Sequence, residues 1–180
     1  MDPLTAQPQA IPPSRLLEGT LSFDGYATLG DFVGITRTVR GEQSGGARLK
    51  DIHGWVEASV VALKTGNKLR DRDLNKSMES DRHPVMRFDL IGVVPDDKRA
   101  DRPSDGVDLD AVLQGELTIH GVRQLQSIRA RLRFEGAANH VKADFPLNRE
   151  DYHIGGLSKM FGVLKMDENI VVHVDLRFGS

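Results

Sequence analysis

Six histidines, His53, His83, His120, His140, His153 and His173, are the side chains best suited to hold a metal or move a proton. None falls in an HxH or HExxH arrangement that would set two imidazoles on one ion, so their spacing points to no metal centre. Cysteine is absent, which removes thiolate ligands, thiol nucleophiles and disulfides together. There is no GxSxG elbow, P-loop or GxGxxG turn, and serines and acids do not occur in an order that suggests an activated nucleophile. The reading is a chain that is not an enzyme, with no catalytic residues, no metal and no cofactor. Two polar clusters remain. Thr65-Gly66-Asn67 reads as a tight turn followed by Arg70 and Asp71, and Arg149, Asp151 and Tyr152 form the second group ahead of Gly155-Gly156. Arg70, Arg149 and Tyr152 could anchor a ligand's polar head at a cavity mouth, but bracing their own loops through ion pairs or caps is the favoured reading.

The elements that must position these residues show a period of two. Ile128, Ala130, Leu132 and Phe134 alternate with Arg129, Arg131 and Arg133, so one face of a strand is buried and the other wet. Ile170, Val172, Val174, Leu176 and Phe178 repeat the pattern against His173, Asp175 and Arg177. Leu17, Leu21 and Phe23 do so against Glu18, Ser22 and Asp24. Val141, Ala143, Phe145 and Leu147 follow suit, with Pro146 among the outward positions arguing for an edge, bulge or strand end. Residues 32–40, 54–64, 85–94 and 107–120 complete eight strands. In 32–40 and 85–94, apolar residues occupy both parities and leave the inward face open. Gly45-Gly46, Asp105-Gly106, His120-Gly121 and Glu135-Gly136 supply turns. Only residues 71–80 read as helix, with Asp71 or Asp73 as N-cap and Leu74 and Met78 on one face.

Eight one-sided strands without a helical layer must close on themselves or fold into a sandwich, and long strands joined mostly by short reversals favour an all-β, eight-stranded antiparallel barrel with one short helix. Residues 1–14, with four prolines, read as a flexible arm, and residues 15–180 as the barrel domain. Small residues at inward positions, Gly34, Thr36, Ala58, Ala62 and Gly115, would leave room inside for a ligand. The pattern alone leaves a filled barrel or sandwich and a ligand-holding barrel both open. The expected lining is Phe23, Phe88, Leu113, Leu117, Ile128, Leu132, Phe134, Phe145, Val172, Val174 and Leu176, with Trp55 and Met86 beside them. Met160, Phe161 and Leu164 read as a lid over the mouth.

A formal net charge of −2 with interleaved signs offers no field for nucleic acid, and no apolar run approaches the ~20 residues of a membrane-spanning helix. The first residues lack the basic start and apolar core of a secretory signal, so the chain reads as cytoplasmic, or as periplasmic or secreted if a signal has been removed.

The run GWVEASVVALKTGNKLRDRDLNKSMES (54–80), followed by HPVMRFDL (83–90), resembles the signature region of the YceI-like family. LQGELTIHGVRQ (113–124) is similar to that family's hairpin, and FPLNREDYHIGG (145–156) to the segment ahead of its last strand. The resemblance implies a lipocalin-like barrel that sequesters or transports a long apolar ligand of polyisoprenoid, quinone or fatty-acid type without chemistry of its own. The alternative is a filled barrel that acts as a scaffold for a protein partner or a homodimer.

Overall fold

The structure is a computed structural model describing residues 10–28, 30–155 and 166–180. It contains β1 (Ser14–Gly25), β2 (Phe32–Thr36), β3 (Val39–Gln43), β4 (Gly54–Ser59), α1 (Lys68–Ser77), β5 (Val85–Pro95), β6 (Asp108–Ile119), β7 (Val122–Glu135), β8 (Ala138–Asn148) and β9 (Asn169–Gly179). All pairings are antiparallel; β1 pairs with both β2 and β3, each later strand pairs with the next in sequence, and β9 returns to β1 to close the ring. β2 and β3 pair with β1 in one continuous register, Leu21 opposite Thr36 and Ser14 opposite Gln43, so they are two segments of one strand. The barrel is therefore eight-stranded. Among the described residues no helix is long and apolar enough to cross a membrane.

Ambiguous parity in the sequence has a physical source: the inward face changes parity where a strand carries an extra residue. β5 is irregular between Leu90 and Gly92, which leaves Ile91 exposed; Met86, Phe88 and Leu90 face the interior before it and Val93 after it. Phe32 and Thr36 are buried in β2, whereas buried Gly41 has the other parity in β3, with Arg37-Thr38 between. β1 is irregular between Leu16 and Glu18, so Leu17, expected to face inward, is 46% exposed.

Three boundaries differ from the sequence reading. Strand β4 stops at Ser59, where the Ser59 hydroxyl accepts a hydrogen bond from the Ala62 amide and the turn sends Val60 and Leu63 into the core. Helix α1 begins at Lys68 and is capped by Asn67, whose Oδ1 accepts from the Leu69 and Arg70 amides. Asp71 instead accepts from the Thr65 amide and hydroxyl. Ile11, placed by its prolines in the arm, is 6% exposed and exchanges two backbone hydrogen bonds with Gly46 at the barrel end opposite α1.

Between β7 and β8 the ladder covers only Arg131–Glu135 and Ala138–Lys142. Pro146 lies beyond it, where no β7 partner needs its missing N–H. The 3-10 turn Arg149–Tyr152 packs against β7 there, held by side chains: the His120 ring on the Tyr152 carbonyl, Gln124 on the Asp151 carbonyl, and Gln126 on the Tyr152 hydroxyl.

On the outer face of the closing seam, His173 of β9 reaches Asp24 of β1 at 2.8 Å and Asp144 of β8 at 2.5 Å. Both partners are carboxylates, so both ring nitrogens donate only in the imidazolium form. Hydrogen bonds to Asp24 and then Asp144 hold the His173 pKa above its ordinary value. A raised folded-state pKa gives stability that is present below the unfolded value of about 6.5 and lost as pH rises through the folded one. The urea midpoint should therefore fall as pH rises from the unfolded pKa through the folded one. His173→Gln should flatten that slope, and an unchanged slope would contradict the seam's dependence on this charge.

Candidate functional site

The barrel interior holds two apolar cavities of about 90 Å³ each. The upper one lies beneath α1, and Leu74 of α1 and Met78 just after it form its roof with Leu63. The lower one lies at the opposite end, with Leu49 and Ile52 at its edge. Phe88, Phe145 and Val174 pack against both core clusters and form the partition between the two spaces. Ligand pockets for molecules of drug size run from about 300 Å³ upward, so each space in this conformation takes only a short length of hydrocarbon.

The small inward residues do not leave open room. An ideal Cβ on Gly34 would lie 2.2 Å from Phe23 Cε1, and one on Gly115 would lie 2.4 Å from Phe88 Cζ. Each glycine receives an aromatic ring, and Thr36 and Ala58 are buried in contact with neighbours. The volume that the sequence assigned to a ligand is thus occupied in part by the barrel's own phenylalanines.

Of the expected lining, Phe23, Met86, Leu117, Phe145 and Val172 border the upper cavity. Phe88, Leu113, Leu132, Phe134 and Leu176 border the lower one. Ile128 is buried in the lower core without reaching either space, and Val174 belongs to the partition. Trp55 touches the rim of the lower cavity, but its ring has the parity of Glu57, and the Arg87 and Arg40 guanidiniums stand 4.7 and 5.8 Å from its centroid. Its π face therefore belongs to the charged outer surface. Burial alone would push the Glu57 carboxyl up, yet hydrogen bonds from Arg87 and Arg40 outweigh it and hold the group below its ordinary value.

The polar candidates divide. Arg70 donates to the Thr65 hydroxyl and carbonyl and lies 4.3 Å over the Phe32 ring, so it braces the turn before α1 and is absent from both cavity walls. Tyr152 is wholly buried in the upper core, and desolvation raises its pKa. Neither occupies a mouth. Arg149 does border the upper cavity, and it donates to the carbonyls of Ile154, Met166 and Asp167. Among the described residues its hydrogen-bond partners are those carbonyls and no carboxylate, while the Glu168 carboxylate lies near enough to feel its charge. Met160, Phe161 and Leu164 lie outside the described residues.

Several contributors escaped the sequence reading. Ile11, Leu49, Ile52, Leu63 and Met166 come from loops, where no periodicity marks an inward residue. Asn139 did carry a signal: it shares parity with Val141 and Ala143, a polar residue at an inward position. Its amide nitrogen donates to Gln43 at 2.9 Å, while its Oδ1 is buried without a donor among the described residues, at the edge of the lower cavity.

The family model described as the YceI-like domain matches residues 18–178. No curated protein matches the chain by sequence. Among solved structures, a polyisoprenoid binding domain from Saccharophagus degradans implicated in plant cell wall breakdown is 15% identical, with a TM-score of 0.77 over 94% of this chain and 99% of that one. BcnA of Burkholderia cenocepacia is 13% identical, with a TM-score of 0.71 over 88% and 95%. The Campylobacter jejuni YCEI protein is 14% identical, with a TM-score of 0.54 over 71% and 72%. At these identities the likeness is one of fold.

Proposed function

The chain belongs to the YceI-like family, and we propose that it binds and carries one long apolar molecule along the barrel axis without transforming it. The observation that carries this reading is two apolar spaces inside one barrel, with the side chains of Phe88, Phe145 and Val174 packed against both core clusters. Rotation of Phe88 and Phe145 joins them into a channel of the barrel's length. The driving force is removal of hydrocarbon from water, at about 25 cal/mol per Å² of surface buried. The ligand class is polyisoprenoid, quinone or fatty acid; the Saccharophagus degradans neighbour is itself a polyisoprenoid binding domain. Arg149 at the upper cavity suits a carbonyl, carboxylate or phosphate head, and in this reading the polar end lies beneath α1 and the tail runs toward Leu132.

The small size of each space favours a second reading, a filled barrel whose outer surface binds a protein partner or a second copy. Organic extraction and mass spectrometry of protein purified from its native host separates the two, with near-stoichiometric lipid expected. A fluorescent fatty-chain probe should bind saturably to the delipidated protein. Absence of both, together with concentration-dependent dimerisation in sedimentation, would favour the scaffold.

Substitutions test the path. Leu132→Glu sets an unpaired charge at a position 4% exposed, so it should abolish probe binding and cost about 3 kcal/mol in urea titration. Unchanged binding would sink the inward path. Phe88→Ala should lower stability by about 3–5 kcal/mol while strengthening binding of the longer of two probes relative to the shorter. Equal effects on both probes would show that the partition does not limit chain length. Gly34→Ala should cost about 1–3 kcal/mol by forcing Phe23 off its seat and should weaken probes that reach the upper cavity.

A further inference from the structure

Sequence spacing gave no reason to group Glu79, His83 and His120, yet the fold brings them together where the end of α1 meets the β6–β7 turn. One ligand atom from each lies within 4.8 Å of the others. The Nδ1 of His120 faces the Tyr152 carbonyl at 3.0 Å, an acceptor only, so this nitrogen carries a hydrogen. In the neutral ring Nε2 then has a free lone pair, and it points at the Glu79 carboxylate, 2.6 Å away. Two acceptors face one another there, and a cation or a proton must lie between them. A histidine fixed through one ring nitrogen by a backbone carbonyl, with the other aimed at a carboxylate, has the support that metal-bound histidines receive from their surroundings.

His83 completes the set. Its ring stands edge-on to that of His120 with centroids 5.3 Å apart, and its Cε1 lies where a Cβ on Gly121 would be 2.7 Å away. The backbone turns sharply at two of the three ligands: Glu79 has φ 47° just past α1 and His120 has φ 54° in the β6–β7 turn.

We propose that Glu79, His83 and His120 bind one divalent transition-metal ion of the Zn²⁺ type at the α1 end of the barrel. Two imidazoles and a carboxylate suit Zn²⁺ over Mg²⁺ or Ca²⁺, and three protein ligands leave a fourth position for water. Ligand atoms around tetrahedral zinc stand about 3.3 Å apart, so His83 closes in and the Glu79–His120 contact lengthens on binding. The ion ties Glu79, two residues beyond α1, to the β6–β7 turn, and Leu74 of α1 and Met78 just after it lie over the upper cavity. Metal therefore fixes the roof of the apolar space, a property independent of whether the barrel carries a ligand.

The test uses the untagged, chelator-treated full chain. Isothermal titration with Zn²⁺ should give one ion per chain, and Co²⁺ should develop the visible absorption of an inner-sphere tetrahedral site. Glu79→Gln and His83→Ala should each weaken Zn²⁺ by at least about tenfold and abolish the Co²⁺ band. His140→Ala, outside the cluster, should leave both unchanged. His83 is the decisive position because His120 also braces the turn behind β7 and its loss could disturb folding. No saturable binding, or binding and a band that survive His83→Ala, would overturn the site and leave an imidazolium–carboxylate pair between His120 and Glu79.

Discussion

The constraint that organises this molecule is the return of β9 to β1. Strands with one oily and one charged face, and one short helix to cover them, must bury the oily faces against each other. Pairing the last strand with the first does this and leaves no sheet edge at the seam. The outer surface then carries the charge in cross-strand pairs, such as Arg131 with Asp110 and Arg133 with Asp108, which fix register more than they add stability. The interior takes most of the large apolar side chains, although Ile91 and Leu125 remain outside.

Much of this was legible in the chain. Clean alternation in β7, β8 and β9 gave inward faces that agree with burial, because these strands run without an extra residue and each parity keeps its side. Where alternation blurred, in 32–40 and 85–94, the structure shows irregular strands and not two-sided ones. One inserted residue exchanges the faces, and no propensity marks it. Leu17 was misassigned for that reason alone. The helix start was misread because Asp71 and Asn67 are both good caps, and the choice went to Thr65, which needed Asp71 as its own acceptor.

The site was less legible than the fold. Counting small side chains suggested space, but a small residue on one strand is a seat for a large one on its neighbour, as Phe23 on Gly34 and Phe88 on Gly115 show. For Arg70 and Tyr152 the sequence offers bracing first and anchoring second, because polar residues near turns can serve either purpose. Backbone carbonyls needing donors decided against Arg70, and the upper core needing a filler decided against Tyr152. Trp55 illustrates the same limit, since its size suggests a core and its neighbours on the outer face are two guanidiniums.

The short ladder between β7 and β8 has a mechanical consequence. Elsewhere, widening the barrel breaks rows of main-chain hydrogen bonds that only another strand could replace. Above Lys142 the wall is stitched by a few side-chain bonds to the Arg149–Tyr152 turn, and water can substitute for each of them as they part. The girth is therefore softest along this one lateral slit. The ring can yield there without unravelling its main-chain ladders.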